Sequence, residues 1–244
     1  MAALTNTGFT PTTMEYTIDQ LFELEEESGQ ASQDHLFYAL EHIVQQLEAA
    51  GVEYAVMGGL SMQLRGYDSR TTIDVDLAID MKPRSLNSLL ASDDRIYRPR
   101  PTAASTGIAR VFVLTGPAYG EQVEPLPVLV DLILAGNLGA PRNIAEASTQ
   151  ATASTPWGSR VYKILSVQHI FKAKLRSYAS RFAENDYNDL IWMWLNLAEQ
   201  VRQFSHQLDW EERDGFYNAV VESDSYTPDD LNDLHTILHL DDGE

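Results

Sequence analysis

The sequence predicts an α/β protein whose C-terminal third is helical, and three observations support this class. Between Thr72 and Ile79, apolar and polar residues alternate with a period of two, which is the pattern of a strand with one polar face. Two further apolar or β-branched runs of strand length follow at 108–114 and 126–134. From Val167 onward, apolar residues recur at helical spacing.

The remaining elements follow from the same periodicities. Residues 1–31 are polar and then acidic, so we expect a loose arm with one short helix around 18–24. A helix is predicted over 33–50, where the apolar spacing ends at Gly51. The small, uncharged stretch 147–156 predicts a connection rather than an element. We also predict strands at 52–57 and 160–165 and helices at 60–64, 83–90, 167–182, 190–197, 209–222 and 228–240.

Composition and charge exclude several classes of protein. The 244 residues include no cysteine, which excludes disulfide frameworks, thiolate metal sites and cysteine nucleophiles. We therefore expect a cytoplasmic protein, and no run of 18 uncharged apolar residues predicts membrane insertion. The net charge of −19 is unlike that of a protein bound to nucleic acid.

The charge is unevenly distributed along the chain. Residues 65–181 carry fifteen bases and ten acids, whereas residues 1–64 carry ten acids and no base. This asymmetry is typical of a chain that binds an anion through its middle segment. The alternative is that the acidic ends only keep the protein in solution.

Two motifs in the middle segment carry candidate chemistry. Gly58-Gly59 lies between a predicted strand and a predicted helix, where glycines allow close backbone approach and free amides favour a phosphate. Asp74 and Asp76 alternate on one strand, so both carboxylates lie on one face with their α-carbons about 6 to 7 Å apart. Oxygen ligands at this spacing suit Mg²⁺ or Mn²⁺. An exposed polar strand face is the other interpretation.

A third carboxylate stands where an apolar residue would be expected. Asp131 interrupts the run LPVLVDLIL, and a buried unpaired aspartate is costly. If its strand lies beside that of Asp74, the three carboxylates form a two-metal site for phosphoryl transfer. Alternatively, Asp131 is an aspartate at a strand end that pairs with an arginine.

Two blocks resemble a known family. The stretch EYAVMGGLSMQLRGYDSRTTIDVDLAID resembles the signature of the nucleotidyltransferase superfamily that includes DNA polymerase beta, especially its minimal, abortive-infection-type and antibiotic-modifying branches. The stretch VYKILSVQHIFKAKLRSYASRFAENDYNDL resembles its helical lobe. The resemblance implies a mixed sheet flanked by helices and a C-terminal α-helical lobe. We divide the chain accordingly into an arm (1–31), a catalytic domain (32–165) and a helical lobe (166–244).

The resemblance also implies roles for individual residues. Asp74, Asp76 and Asp131 would be catalytic and would hold Mg²⁺ or Mn²⁺, with Asp131 as third ligand or as base. The residues implied to bind the nucleoside triphosphate are Gly58, Gly59, Ser61, Arg70, Thr72, Lys174, Arg181 and Asp189. For Lys174, Arg181 and Asp189, a set of salt bridges on a helix surface is the alternative.

The function expected from this sequence is metal-dependent transfer of a nucleoside monophosphate to an acceptor, with release of pyrophosphate. The acidic balance favours a small-molecule or protein acceptor over nucleic acid. Two other functions remain open, because fold does not determine activity. One is a catalytically inactive nucleotide-binding module that serves as an antitoxin or regulator, and the other is a protein-interaction module that binds no nucleotide.

Overall fold

An eight-stranded mixed sheet forms the centre of the computed structural model, which describes residues 14–99 and 107–243. Its strand order is β1-β4-β5-β6-β3-β2-β8-β7. Three neighbouring pairs are parallel, namely β1 with β4, β3 with β6 and β2 with β8. The strands are β1 (Glu15–Tyr16), β2 (Tyr54–Met57), β3 (Asp74–Ile79), β4 (Ile96–Pro99), β5 (Ile108–Thr115), β6 (Leu126–Leu134), β7 (Ser148–Thr155) and β8 (Gly158–Leu165).

The helices cover both faces of this sheet, and the last four form the predicted C-terminal helical region. The mixed sheet with flanking helices confirms the predicted fold class. The helices are α1 (Ile18–Ser28), α2 (Gln33–Ala49), α3 (Gly58–Gln63), α4 (Pro83–Ala91), α5 (Ile144–Ala147), α6 (Val167–Arg181), α7 (Glu184–Arg202), α8 (Trp210–Glu222) and α9 (Pro228–Ile237). Within the described ranges, no helix combines the length and apolar character needed to cross a membrane.

Two apolar cores, one on each face of the sheet, follow from the alternation of the strands. Val75, Leu77 and Val130 point to the face covered by α2 and α4. Ala78 and Ile133 point to the opposite face, which packs against α5 to α9. Because side chains alternate, the even-numbered aspartates of β3 share the face of the C-terminal helices.

The N-terminal segment is attached to the sheet, which corrects the expectation of a loose arm for its described part. Strand β1 pairs with β4, and the hydroxyl of Tyr16 donates a hydrogen bond to the carbonyl of Arg110 (2.8 Å). The Ser28 hydroxyl accepts a hydrogen bond from the amide of Leu129 in β6 (2.8 Å). The predicted short helix is present as α1. The rest of the predicted arm, residues 1–13, lies outside the described residues.

Strand β7 was predicted to be a connection, and this prediction was wrong. Ser148–Thr155 pairs along its whole length with β8. The strand lies at the edge of the sheet and most of its side chains are at least partly exposed, so an apolar face is not required. Its small polar and β-branched residues are compatible with such a strand, because the backbone makes the ladder bonds.

Candidate functional site

The candidate site lies on the sheet face that the C-terminal helices partly cover, where charged residues of three adjacent strands are in register. Asp76 in β3 is the register partner of Asp131 in β6, and Asp131 is the partner of Arg110 in β5. Neighbouring strands lie about 5 Å apart. The structure therefore places Asp131 beside the Asp74 and Asp76 strand, as the two-metal hypothesis required.

Asp74 and Asp76 differ in their surroundings. The Thr72 hydroxyl donates a hydrogen bond to Oδ1 of Asp74 (2.7 Å). We find no hydrogen-bond donor for the Asp76 carboxylate within the described part of the chain. Desolvation, together with the negative charges of Asp74 and Asp131, raises the pKa of Asp76 from 3.8 to about 7. Burial is the largest of these causes, and the charges of Lys174 and Arg110 act against it.

The two glycines bring the protein's own side chains close to the backbone. Gly58 has a φ of +62°, which favours glycine, and a Cβ there would lie 1.9 Å from Oδ2 of Asp76. A Cβ at Gly59 would lie 2.7 Å from the Thr72 hydroxyl and 3.2 Å from a guanidinium nitrogen of Arg70. The space above each glycine is therefore filled by a residue of the candidate site.

Ser61 was predicted to contact phosphates, and the structure corrects this expectation. Its side chain is fully buried, and its hydroxyl donates a hydrogen bond to the carbonyl of Gly58 (2.9 Å). This bond stabilises the turn between β2 and α3. Ser61 therefore has a structural role in the Gly58-Gly59 turn.

Asp131 is paired with an arginine, as the alternative interpretation stated, but it lies within β6 and not at the strand end. Arg110 donates from Nε to Oδ1 and from Nη2 to Oδ2 of Asp131, each at 3.0 Å. The remaining terminal nitrogen, Nη1, donates to Oε1 of Glu25 in α1 (2.7 Å). Both oxygens of the third carboxylate are therefore engaged, and its role as a metal ligand remains a prediction.

A mostly buried network of five charged side chains, with Arg181 at its exposed end, joins the loop before β3 to helices α6 and α7. The Lys174 ammonium lies 3.1 Å from Oδ1 of Asp186 and 2.7 Å from Oδ2 of Asp189. Arg181 contacts Asp186 (Nη2 to Oδ2, 2.6 Å), and Arg70 donates to Asp189 (Nε to Oδ1, 2.9 Å). We call Arg70, Lys174, Arg181, Asp186 and Asp189 the buried network.

The buried network corrects the alternative of salt bridges on a helix surface. The side chains of Lys174 and Asp189 are 9% and 0% exposed and are paired inside the protein. Their contact with a bound triphosphate remains a prediction. Lys174 still acts on the site electrostatically, because its charge lowers the pKa of Asp76 against the larger effect of burial. Arg181 is largely exposed but is held by Asp186.

Arg70 links the buried network to the glycine turn. Its Nε binds Asp189, its Nη1 donates to the Thr71 carbonyl, and its Nη2 lies over Gly59. The carbonyl of Arg70 in turn accepts a hydrogen bond from the Gln63 side chain at the end of α3. Arg70 is therefore the member of the predicted binding set that lies between the turn and the helical region.

Asp74 and Asp76 are the candidate ligands for a divalent cation. In residues 14–99 and 107–243, no three His, Asp or Glu side chains are arranged to hold a metal ion together. Asp74 and Asp76 supply carboxylate oxygens on one face, and burial together with the neighbouring carboxylates raises the pKa of Asp76. Hard oxygen donors of this kind are the ligands of Mg²⁺ and Mn²⁺.

Arg110 and Glu25 are members of the site that the sequence interpretation missed. Arg110 interrupts the apolar run IARVFV just as Asp131 interrupts LPVLVDLIL. Opposite charges within two successive strand-like runs indicate a cross-strand pair. Glu25 gave no comparable signal, because it stands in an acidic stretch with Glu23, Glu26 and Glu27.

Comparisons with known proteins give structural similarities only. No protein-family model and no curated protein sequence matches this chain. A nucleotidyltransferase-like antigenic protein from Paracoccidioides brasiliensis is 21% identical, with a TM-score of 0.47 over 66% of this chain and 75% of its own. JHP933 from Helicobacter pylori is 14% identical, with a TM-score of 0.43 over 91% of each chain. The antibiotic-resistance factor ANT(2'')-Ia is 13% identical, with a TM-score of 0.42 over 66% of this chain and 83% of its own.

These similarities by themselves assign no activity to the chain.

Proposed function

We propose that the protein transfers a nucleoside monophosphate from a nucleoside triphosphate to an acceptor and releases pyrophosphate, with Mg²⁺ or Mn²⁺ at Asp74 and Asp76. The observation that carries the proposal is the carboxylate pair on β3, placed against the Gly58-Gly59 turn and in register with Asp131. Phosphoryl transfer depends mainly on positioning and on stabilising charge, which such a site supplies.

The reaction balances with the groups of the site. The acceptor oxygen forms a bond to the α-phosphorus, the bond from that phosphorus to the bridging oxygen breaks, and pyrophosphate leaves. A bound divalent cation would neutralise the developing negative charge on the phosphate oxygens. Asp131 is the candidate to take the acceptor's proton, since it lies across from Asp76. Arg70 and the amides of the Gly58-Gly59 turn would orient the phosphates, with Thr72 holding Asp74 in place.

The acceptor proposed is a small molecule or a protein. The net charge of −19 disfavours binding to nucleic-acid phosphates, which requires neutralising cations. A cytoplasmic location is part of the same proposal and rests on the absence of cysteine.

One observation favours a second candidate function, an inactive nucleotide-binding module. The bidentate pair between Arg110 and Asp131 occupies the carboxylate that would serve as base. A module without catalytic activity would keep Asp74 and Asp76 to bind the metal and nucleotide, and Asp131 would serve only as the ion-pair partner of Arg110. The two functions differ in turnover and agree in nucleotide binding.

A thermal-shift screen of ATP, GTP, CTP and UTP with Mg²⁺, followed by a pyrophosphate-release assay, tests the proposal. A ligand at about 100 times its dissociation constant stabilises by roughly 2.7 kcal/mol, which for a chain of this size raises the melting temperature by roughly 5 to 11 °C. The matched control is the Asp74→Asn/Asp76→Asn double variant, which should lose the shift. Binding without pyrophosphate release over a panel of acceptors would favour the inactive module, and no shift with any nucleotide would overturn both candidates.

A further inference from the structure

The environment of Asp131 suggests a specific metal stoichiometry. We propose that the Arg110 guanidinium takes the position of a second metal ion at Asp131, so that the site binds one divalent cation per chain, at Asp74 and Asp76. This inference rests on the proposed function and goes beyond it, because a site with three carboxylates would otherwise be expected to hold two metals.

The geometry of the pair supports this proposal. Two guanidinium nitrogens of Arg110 meet the two oxygens of Asp131 at equal distances of 3.0 Å. Such a bidentate arginine–carboxylate pair matches the planar geometry of both groups and is stronger than a pair with a single hydrogen bond. A guanidinium also stays charged at every physiological pH. A second metal could bind Asp131 in the same way only after this pair opens.

The N-terminal segment holds Arg110 in this position. Glu25 accepts from Nη1 (2.7 Å), so all three guanidinium nitrogens have a carboxylate partner. The Tyr16 hydroxyl binds the Arg110 carbonyl, and Ser28 ties the end of α1 to β6. Hydrogen bonds therefore hold both the side chain and the backbone carbonyl of Arg110 in place. Rotation of the guanidinium away from Asp131 would break its contacts to β6 and α1.

The positions of the cations agree with one metal ion at the aspartate pair. Arg110 supplies the positive charge at Asp131 and shares it with Glu25. Within the described ranges, no lysine or arginine forms an ion pair with Asp74 or Asp76, because the nearby Lys174 ammonium is bound by Asp186 and Asp189. A second divalent cation would add repulsion with Arg110 at short distance.

Manganese stoichiometry tests the inference without any turnover. Mn²⁺ is titrated into the full-length protein and its Arg110→Met variant, and bound Mn²⁺ is counted by electron paramagnetic resonance. We expect one Mn²⁺ per wild-type chain. In Arg110→Met we expect two, with the spin coupling of ions about 4 Å apart. The matched control is Arg98→Met, which removes an arginine that also binds the N-terminal segment, through Glu15, and should keep one Mn²⁺.

The Asp131→Asn variant provides a second measurement if Arg110→Met does not fold. Under the inference Asp131 is no metal ligand, so this variant keeps one bound Mn²⁺ per chain. Two coupled Mn²⁺ ions in the wild-type protein, or loss of the single ion in Asp131→Asn, would overturn the inference and leave the proposed function standing. Absence of Mn²⁺ binding in every folded variant would overturn the metal site itself, and with it the proposed function.

Discussion

Replacement of Lys174 by methionine should destabilise the protein strongly, because the ammonium lies between two buried carboxylates. Methionine is unbranched and one atom shorter than lysine, and it removes the charge. Lys174 contacts Asp186 at 3.1 Å and Asp189 at 2.7 Å, and both aspartates are at most 1% exposed. Removal of one partner from a buried ion pair costs about 3 to 5 kcal/mol.

The structure indicates the lower end of this range. After the substitution, Asp186 keeps Arg181, and Asp189 keeps Arg70. Each carboxylate therefore loses one of two cations and is not left alone in the interior. We expect a loss of about 3 kcal/mol in the free energy of unfolding, which corresponds to roughly 6 to 12 °C in melting temperature for a chain of this size.

Urea unfolding followed by circular dichroism measures this loss. The control is Lys172→Met on the same helix, where the lysine is exposed and the change should stay within about 0.5 kcal/mol. Nucleotide affinity is measured in parallel for both variants. A Lys174→Met protein that is as stable as the control but binds nucleotide poorly would refute the buried role and return Lys174 to the triphosphate.

Three further outcomes are expected. Gly59→Ala should destabilise the protein by about 1 to 3 kcal/mol in urea unfolding, because its Cβ would lie 2.7 Å from the Thr72 hydroxyl. The control Gly215→Ala has open space around it and should stabilise the protein by about 0.5 to 1 kcal/mol. Equal effects of the two substitutions would contradict the close packing at Gly59. The pKa of Asp76 is raised from 3.8 to about 7, so between these pH values the folded metal-free chain binds more protons than the unfolded chain. The free energy of unfolding should therefore fall as pH rises from about 4 to about 7, and Asp76→Asn should remove this part of the pH dependence. An unchanged pH dependence in the variant would show that Asp76 ionises normally. Asp131→Asn should lower turnover, measured by pyrophosphate release, by a factor of at least about 10². Nucleotide should still bind to this variant in calorimetry. Unchanged turnover would exclude Asp131 as the base.

The strand that carries the candidate site could be predicted from the sequence because its signal is local. Alternation from Thr72 to Ile79 placed Asp74 and Asp76 on one face, and the structure has β3 at Asp74–Ile79. Alternation cannot show which strands are neighbours, since register depends on the whole topology. The position of Asp131 beside Asp76 therefore needed the parallel pairing of β3 with β6.

The buried network shows where sequence reasoning stops. The seven-residue spacing of Lys174 and Arg181 predicted one helix stripe, and both side chains indeed contact Asp186. The spacing could not show that this stripe faces α7 and Arg70 rather than solvent or a ligand. A cation at helical spacing is compatible with both environments, and only the packing of α6 against α7 distinguishes them.

Calorimetric titration of Mn²⁺ into the wild-type protein and into the Asp74→Asn/Asp76→Asn double variant tests the central claim most directly. The substitutions remove both anionic ligands and keep the volume of the side chains. The account predicts saturable Mn²⁺ binding by the wild-type protein and a loss of at least about 100-fold in affinity in the double variant. Equal Mn²⁺ affinity in the two proteins would contradict the account and would make Asp74 and Asp76 a polar strand face without a ligand.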